Sequence, residues 1–284
     1  MKMLFSGPAD SLFKDLTEEG WLALLIRSVN EPVIDSVEMP RFPHGSVQRQ
    51  IGGSADEHTL REAYQFYYYM KHWSIALGRA PLWGSRLLDF GCGWGRCTRF
   101  FWKEIAADGI YGVDVNGELI ATCNALGVPG SFSKIEPRGH LPYEDQSFDL
   151  IVAYSVFTHL PEDVADHWMQ ELARIAKPGC VFALTVEPRR FLQFIIDIPA
   201  DTSSAWHSGL SRFKSEMPEL MKKYDDGQFC YIPTGGGDLS ASVYGDAAIP
   251  VDYMTRKWGH LFEVRTFIDN ANVFWQAFVV LRRP

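Results

Sequence analysis

Apolar and polar residues alternate regularly only in the middle and at the end of the chain. From residue 86 onward, short apolar runs predict strands over 86–90, 110–114, 131–135, 149–154 and 180–187. Amphipathic segments between these runs predict helices over 95–106, 117–126 and 162–176. Strands that alternate with helices predict a parallel sheet with helices on both faces.

The flanking regions follow other patterns. Helices are predicted over 11–30 and 56–77, and the second carries an aromatic cluster of Tyr64, Phe66, Tyr67, Tyr68 and Tyr69. Residues 188–250 are rich in aromatic residues and proline and break the alternation. A helix over 251–258 and strands over 262–268 and 273–281 then close the chain, which is typical of a sheet whose last strand is antiparallel.

Composition excludes several classes of protein. The net charge of −8 and the pI near 5.5 argue against a nucleic-acid partner, because phosphate binding needs a basic surface. Five cysteines, an odd number scattered through the predicted core, indicate reduced thiols in a cytoplasmic protein. The N-terminus lacks the pattern of a signal peptide, and no apolar run approaches the ~20 residues of a membrane span. We therefore expect a soluble cytoplasmic protein, and homo-oligomerisation stays open.

A glycine-rich turn follows the first predicted strand. It reads Leu88-Asp89-Phe90-Gly91-Cys92-Gly93-Trp94-Gly95 and leads into a predicted helix. A strand, a glycine turn and a helix N-terminus form a cradle for the polar part of a nucleotide-like ligand. The spacing lacks the wider interval of the dinucleotide motif, and an acid before the first glycine suits a cationic amino-acid group better than a pyrophosphate.

This turn resembles the first motif of class I S-adenosylmethionine (SAM)-dependent methyltransferases. Similar blocks follow at 110–116, 141–151 and 152–160. The third block, Leu-Pro-Tyr-Glu-Asp-Gln-Ser-Phe-Asp, favours SAM over NAD. The resemblance covers 86–187 firmly and 250–284 loosely. It implies an α/β fold, the Rossmann-like class I methyltransferase sheet, mostly parallel with an antiparallel last strand.

On this basis the chain is expected to divide into four parts. They are an N-terminal helical cap (1–80), the SAM-binding core (81–187), an inserted lid or substrate region (188–250) and a C-terminal helix and strand pair that complete the sheet (251–284). Residues 188–250 could instead be a long structural crossover. The aromatic helix either covers the core or closes the cofactor pocket.

The resemblance also implies a cofactor site. Asp89 would hold the methionine portion of SAM, and Gly91 and Gly93 would offer backbone N–H groups to its carboxylate. Asp114 ends the second strand, where an acid accepts hydrogen bonds from ribose hydroxyls. Tyr154 would face the methionine arm. The full set is Asp89, Gly91, Cys92, Gly93, Gly95, Asp114, Val115 against the adenine ring, Ser133 or Ile135 for its amino group, and Tyr154.

Two residues are candidates for the catalytic base. His159 lies in the loop after the fourth strand, and imidazole titrates near neutral pH, although a histidine there could simply bond the loop backbone. Glu187 ends the fifth strand and is its rival, while His207 and His260 are weaker candidates. Trp206, Tyr231, Tyr244 and Asp246 could line the acceptor site or pack a lid. No metal site is expected.

The sequence therefore predicts an enzyme that moves a methyl group from SAM to a small-molecule or glycan-like acceptor, preferably at oxygen, and releases S-adenosylhomocysteine (SAH). Methylation of nitrogen in a small metabolite and of a lipid-like acceptor are close alternatives. A SAM-binding partner or regulatory protein without turnover is an alternative from another class. An NAD-dependent oxidoreductase is disfavoured by the glycine spacing.

Overall fold

The computed structural model describes residues 15–79, 82–236 and 239–284. Before the first strand of the main sheet lie α1 (Glu18–Ser28), β1 (Val33–Ile34), β2 (Val37–Glu38), α2 (Gly45–Gly52) and α3 (Asp56–Ala76). The predicted first helix thus begins later than expected, and its residues 11–14 lie outside the described part of the chain.

The middle of the chain alternates as predicted. Its elements are β3 (Leu87–Phe90), α4 (Thr98–Phe101), β4 (Ile110–Asp114), α5 (Gly117–Ala125), β5 (Ser131–Lys134), β6 (Phe148–Ala153), α6 (Glu162–Ile175) and β7 (Ala176–Val186). The last third contains α7 (Arg189–Asp197), α8 (Ala205–Ser211), α9 (Met217–Asp225), β8 (Cys230–Ile232), β9 (Asp246–Ala248), α10 (Val251–Trp258), β10 (Glu263–Ile268) and β11 (Ala277–Arg282).

One seven-stranded sheet has the order β10-β11-β7-β6-β3-β4-β5. β3 runs parallel to β4 and β6, β4 runs parallel to β5, and β11 runs antiparallel to β10. Every residue of β3 and β6 is buried, as expected for strands covered by helices on both faces. The predicted doubly wound sheet with an antiparallel last strand is confirmed.

Several predicted element boundaries were wrong, two of them in the middle of the chain. The helix predicted over 95–106 is only the single turn of α4, because three glycines with positive φ extend the preceding turn. β7 begins at Ala176, so the Lys177-Pro178-Gly179 segment, which falls between the predicted helix over 162–176 and the predicted strand over 180–187, lies inside the strand. The left-handed φ of +77° at Gly179 accommodates this irregularity.

The chain divides into two compact units. Unit 1 comprises residues up to Tyr154 together with 175–182, and unit 2 comprises 155–174 and 183–284. In unit 1, Phe66 and Tyr67 of α3 are fully buried, and the Tyr67 ring stacks on Phe100 at 5.8 Å between centroids. In unit 2, α7 contributes Phe191, Leu192 and Ile195 to a separate apolar cluster. Trp168 of α6 is a core residue.

Candidate active site

The glycine turn after β3 has a left-handed backbone at each glycine, with φ of +75° at Gly91, +56° at Gly93 and +78° at Gly95. At Gly95 a side chain is also excluded by space, because a Cβ there would lie 2.7 Å from Cγ1 of Val128. The Cys92 side chain lies in a buried cluster with Cys123 and Val128, and its N–H donates to the Val113 carbonyl at 3.0 Å, so its thiol and its N–H are both occupied within the protein.

The N–H groups of this turn are bound within the protein. Gly91 N–H donates to the Val113 carbonyl at 2.8 Å, and Gly93 N–H donates to Oδ2 of Asp114 at 2.9 Å. The expectation that these two N–H groups meet a ligand carboxylate is therefore not met. The competing acceptors come from β4, which pairs with β3 in the sheet and could not be located from the motif alone.

Asp89 is the penultimate residue of β3 and is only 2% exposed. The Thr98 hydroxyl donates to its Oδ2 at 2.5 Å. Burial raises the pKa of Asp89 to about 7, against the opposing effect of the Thr98 hydrogen bond. A bound cation would stabilise the ionised form of this carboxyl, so the site favours a positively charged group.

Asp114 ends β4 and fixes the glycine turn. Its Oδ2 accepts from Gly93 N–H at 2.9 Å, and its Oδ1 accepts from Asn116 N–H at 2.8 Å. Burial raises the pKa of Asp114, and the backbone hydrogen bonds oppose that effect. Each carboxylate oxygen has room for a second hydrogen bond, so a pair of neighbouring hydroxyls can still be bound.

The predicted adenine-side residues lie beside Asp114. Ser133 of β5 is in register with Val113, and Ile135 N–H donates to the Asp114 carbonyl at 2.9 Å. Val115 follows Asp114 and is half-buried. All three positions therefore lie next to the β4 end of the site.

Tyr154 follows β6 and is held by two side chains. The guanidinium carbon of Arg96 lies 4.8 Å from the centroid of its ring. Phe66 of α3 packs edge-on against the same ring at 4.9 Å between centroids. The aromatic helix thus both covers the core and contacts the residue predicted to face the methionine arm.

In unit 2, His159 has a fixed orientation. Its Nδ1 lies 2.8 Å from the Gly245 carbonyl, which can only accept, so Nδ1 carries the proton and the neutral ring has its lone pair on Nε2. Oδ1 of Asp246 lies 3.8 Å from the same nitrogen, and the Tyr244 ring stacks on the imidazole at 4.6 Å. Burial lowers the pKa of His159, and the charge of Asp246 opposes this effect.

The predicted acceptor residues surround this histidine. Oδ2 of Asp246 accepts from the Thr234 hydroxyl at 2.5 Å, and Trp206 lies close enough to lower the pKa of this carboxylate against the effect of burial. Tyr231 packs on Gly245 so closely that a Cβ at Gly245 would lie 2.5 Å from its hydroxyl oxygen. A side chain at position 245 would therefore clash with Tyr231, whereas glycine lets Tyr231 and His159 both contact this position.

Glu187 lies next to the cluster. It follows β7, is 4% exposed, and bridges to Ala248 through the backbone. Burial and the charge of Asp246 raise the pKa of Glu187 to about 8, against a hydrogen bond from Gln276. Its Oε2 has no hydrogen-bond partner within the described residues. Unit 2 thus brings His159 and Glu187 together with the predicted acceptor residues, whereas His207 lies against Phe194 and 3.2 Å from the Thr202 hydroxyl.

Comparisons with known proteins agree with this geometry. Residues 87–179 match the model of a family described as "Methyltransferase domain". The chain is 33% identical over 150 residues to sterol 24-C-methyltransferase erg6 of Schizosaccharomyces pombe, a match that covers 50% of this chain and 37% of that protein. It is 31% identical over 101 residues to methyltransferase GfsG of Streptomyces halstedii, covering 34% of this chain and 35% of that protein.

Solved structures are similar in fold. Magnesium protoporphyrin IX methyltransferase from Synechocystis, with SAH bound, superposes with a TM-score of 0.51 at 17% identity, over 84% of this chain and 94% of that one. An S-adenosylmethionine-dependent methyltransferase from Clostridium acetobutylicum gives 0.52 at 11% identity, over 77% and 91%. At these identities the likeness concerns the fold alone.

Residues 87–179 are a class I SAM-dependent methyltransferase domain. SAM is accordingly its cofactor. The chain spans about a third of the length of the curated relatives that it matches. The range of the family model, 87–179, contains the glycine turn, Asp89, Asp114 and His159, whereas Glu187 and Asp246 lie outside it.

The donors and acceptors of the methyltransferase site fit SAM. The buried carboxyl of Asp89 suits an ammonium group, and the open lone pairs of Asp114 suit a ribose diol.

Within the described residues, no three histidine, cysteine or acidic side chains converge as a metal site. All five cysteines are among the residues that the structure describes, and each is a buried free thiol. None of the helices described is long and apolar enough to cross a bilayer.

Several residues of the methyltransferase site were not predicted. Thr98 and Arg96 follow the glycine turn, and their closeness to the motif was the one available signal. Unit 2 by itself contains a hydrogen-bonded ring that was also not predicted: Ser155 N–H donates to Thr185 at 2.7 Å, Thr185 donates to Gln276 at 2.5 Å, and Gln276 donates to Ser155 Oγ at 2.9 Å. Ser155 has a left-handed φ of +59°, so the ring holds a strained loop. Nothing in the sequence links Gln276 to this loop.

Proposed function

We propose that this chain transfers the methyl group of SAM to an oxygen atom of a small-molecule or glycan-like acceptor, with His159 as the general base. The observation that carries this proposal is the bond from His159 Nδ1 to the Gly245 carbonyl. That bond leaves the basic lone pair on Nε2. SAM supplies a methyl group on a positively charged sulfur, whose bond to carbon breaks as the acceptor oxygen attacks.

The role of the chain is to orient the acceptor and remove its proton. Nε2 of His159 would take the hydroxyl proton as the new oxygen–carbon bond forms, and the nearby charge of Asp246 would stabilise the imidazolium. The lowered pKa of His159 keeps the ring neutral and ready to accept a proton at neutral pH. Tyr244, stacked on the ring, supports this orientation.

Glu187 is a poorer base than His159. With a pKa near 8 it carries its proton at pH 7, so it would donate a hydrogen bond rather than accept a proton. Its partnerless Oε2 can meet a polar atom of the acceptor. We therefore assign Glu187 to acceptor binding, together with Asp246, Trp206, Tyr231 and Tyr244.

The same two carboxyls support a second candidate, methylation of an amine. Burial raises the pKa of both carboxyls, the charge of Asp246 raises that of Glu187 further, and a protonated amine would stabilise their ionised forms. An amine acceptor would lose its ammonium proton before attack, and His159 could again receive it. The choice between oxygen and nitrogen therefore depends on the acceptor and is decided by assay.

The test uses SAM with a labelled methyl group and matched acceptors that differ in one atom, such as phenols and sugars paired with the corresponding amines. Label on the hydroxyl members supports the proposal, and label on the amines alone supports the second candidate. Binding of SAM without label on any acceptor would favour a partner protein without turnover.

His159→Asn separates a base from a structural histidine. The asparagine amide can still donate to the Gly245 carbonyl but has no group in place of Nε2. Turnover should fall by about 10²-fold or more, the usual contribution of a general base, while the melting temperature stays unchanged. His159→Gln, which restores a polar group near Nε2 but cannot accept a proton, is the matched control and should be equally impaired. Turnover within a few-fold of wild type in both variants would make His159 structural.

A further inference from the structure

The methionine end of SAM carries both an ammonium and a carboxylate, and the glycine turn offers the carboxylate little. The N–H groups of Gly91 and Gly93 are bound to Val113 and Asp114, and Gly95 N–H donates to the Cys92 carbonyl at 2.9 Å. Because the glycine N–H groups are already used, a carboxylate at this turn needs another donor to compensate its desolvation.

Arg96 follows the turn directly and has a defined position. Its Nη1 donates to the Thr59 hydroxyl at 3.1 Å and to Oε2 of Glu62 at 3.4 Å, both on α3. Its guanidinium covers the Tyr154 ring. The side chain is only 12% exposed, and a Cβ at Gly52 would lie 2.7 Å from Nη1. Four positions from three separate segments thus fix one guanidinium.

Only one nitrogen of this guanidinium makes those two hydrogen bonds. The Nε and Nη2 groups take no part in them, and two such neighbouring donors match the geometry of a carboxylate. Arg96 is also close enough to Asp89 for its charge to oppose the raised pKa of that carboxyl. A cation and an anion therefore lie at the same end of the turn, as recognition of a zwitterion requires.

We propose that Arg96 binds the carboxylate of the methionine part of SAM, while Asp89 binds the ammonium group. This inference rests on SAM as the cofactor and deepens that assignment. Thr59, Glu62 and Gly52 are then positioning residues, since they hold the arginine and do not touch the ligand. The N-terminal helices α2 and α3 serve cofactor binding through this single side chain.

The experiment compares two ligands by titration calorimetry and needs no acceptor. One ligand is SAH, and the other is its decarboxylated analogue, which keeps the adenosine and the amine but lacks the carboxylate. Arg96→Met should weaken SAH binding by about 10- to 100-fold, as expected for a charged hydrogen-bonded pair. The same variant should bind the decarboxylated analogue as the wild type does.

Two variants serve as controls. Arg61→Met removes an exposed arginine that pairs with Glu57 on α3, and should leave both affinities unchanged. Arg96→Lys keeps the positive charge but cannot donate two parallel hydrogen bonds to one carboxylate, so it should weaken SAH binding less than Arg96→Met does. If the methionine variant does not fold, the lysine variant carries the test.

The outcomes are distinct. An equal loss for both ligands would make Arg96 structural and overturn the proposal, as would unchanged affinity for SAH. Failure of the wild-type chain to bind either ligand would instead reject SAM as the cofactor. A loss confined to SAH assigns the carboxylate to Arg96.

Discussion

Glu187→Gln tests the electrostatics of the unit 2 cluster through stability alone. The wild-type carboxyl is 4% exposed, lies near the charge of Asp246, and has one oxygen without a hydrogen-bond partner among the residues that the structure describes. Its pKa rises from an ordinary 4.5 to about 8. Glutamine keeps the shape and the hydrogen bond from Gln276 but does not titrate.

The magnitude follows from proton linkage. Above pH 7 the unfolded chain has lost the Glu187 proton, while the folded chain holds it until the pH passes about 8. The folded state therefore binds more protons, and stability falls as the pH rises. Averaged over pH 7 to 9, the folded carboxyl binds about half a proton more than the unfolded one. Over these two pH units, at about 1.36 kcal/mol per proton and pH unit, the unfolding free energy falls by about 1.4 kcal/mol.

The assay is urea denaturation of wild type and Glu187→Gln at pH 7, 8 and 9. The unfolding free energy of the wild type should fall relative to the variant by about 1.4 kcal/mol across this range. Glu219→Gln, at an exposed glutamate of unit 2 that pairs with Lys223, should show no such change relative to wild type. A constant difference between wild type and Glu187→Gln would refute the reasoning, because the carboxyl would then be ionised at pH 7 and available as a base.

Two further predictions concern the cofactor. Because the pKa of Asp89 is about 7, the affinity for SAH should rise about tenfold from pH 6 to 8 as the carboxyl ionises. Asp89→Asn should remove this pH dependence. If calorimetry shows the same pH dependence of SAH affinity in wild type and variant, Asp89 is excluded as the ammonium partner. Asp114→Ala removes the acceptor for the ribose hydroxyls and should weaken SAH binding by about 10- to 100-fold, whereas an unchanged calorimetric affinity would remove that assignment.

Local patterns were sufficient for much of the fold. The predicted strand over 110–114 and helix over 251–258 match β4 and α10 residue for residue. Buried parallel strands are continuous apolar runs, and helix ends carry local signals such as Pro161 before α6. The first three residues of the predicted 95–106 helix failed because glycine conformations, which depend on packing against Val128, extended the turn.

The cofactor site was also predicted in part from local patterns. Asp89 and Asp114 lie at the ends of apolar strands, and strand ends can be located from sequence. The partners of the glycine N–H groups could not, since Val113 and Asp114 reach them only through the pairing of β3 with β4. Arg96 gained its proposed role only once α3 had placed Thr59 and Glu62 beside it.

By itself, the sequence determined the alternation of strands and helices, the glycine turn and the acids at strand ends, because each depends on backbone conformation and apolar periodicity over a few residues. Tertiary structure alone decided which groups titrate abnormally and which donors are already used. His159 meets Gly245 across 86 residues of chain, and Gln276 meets Ser155 across 121. Burial and hydrogen-bond partners at such separations arise only when the whole chain packs, and they set the chemistry of both carboxyls, Asp89 and Glu187.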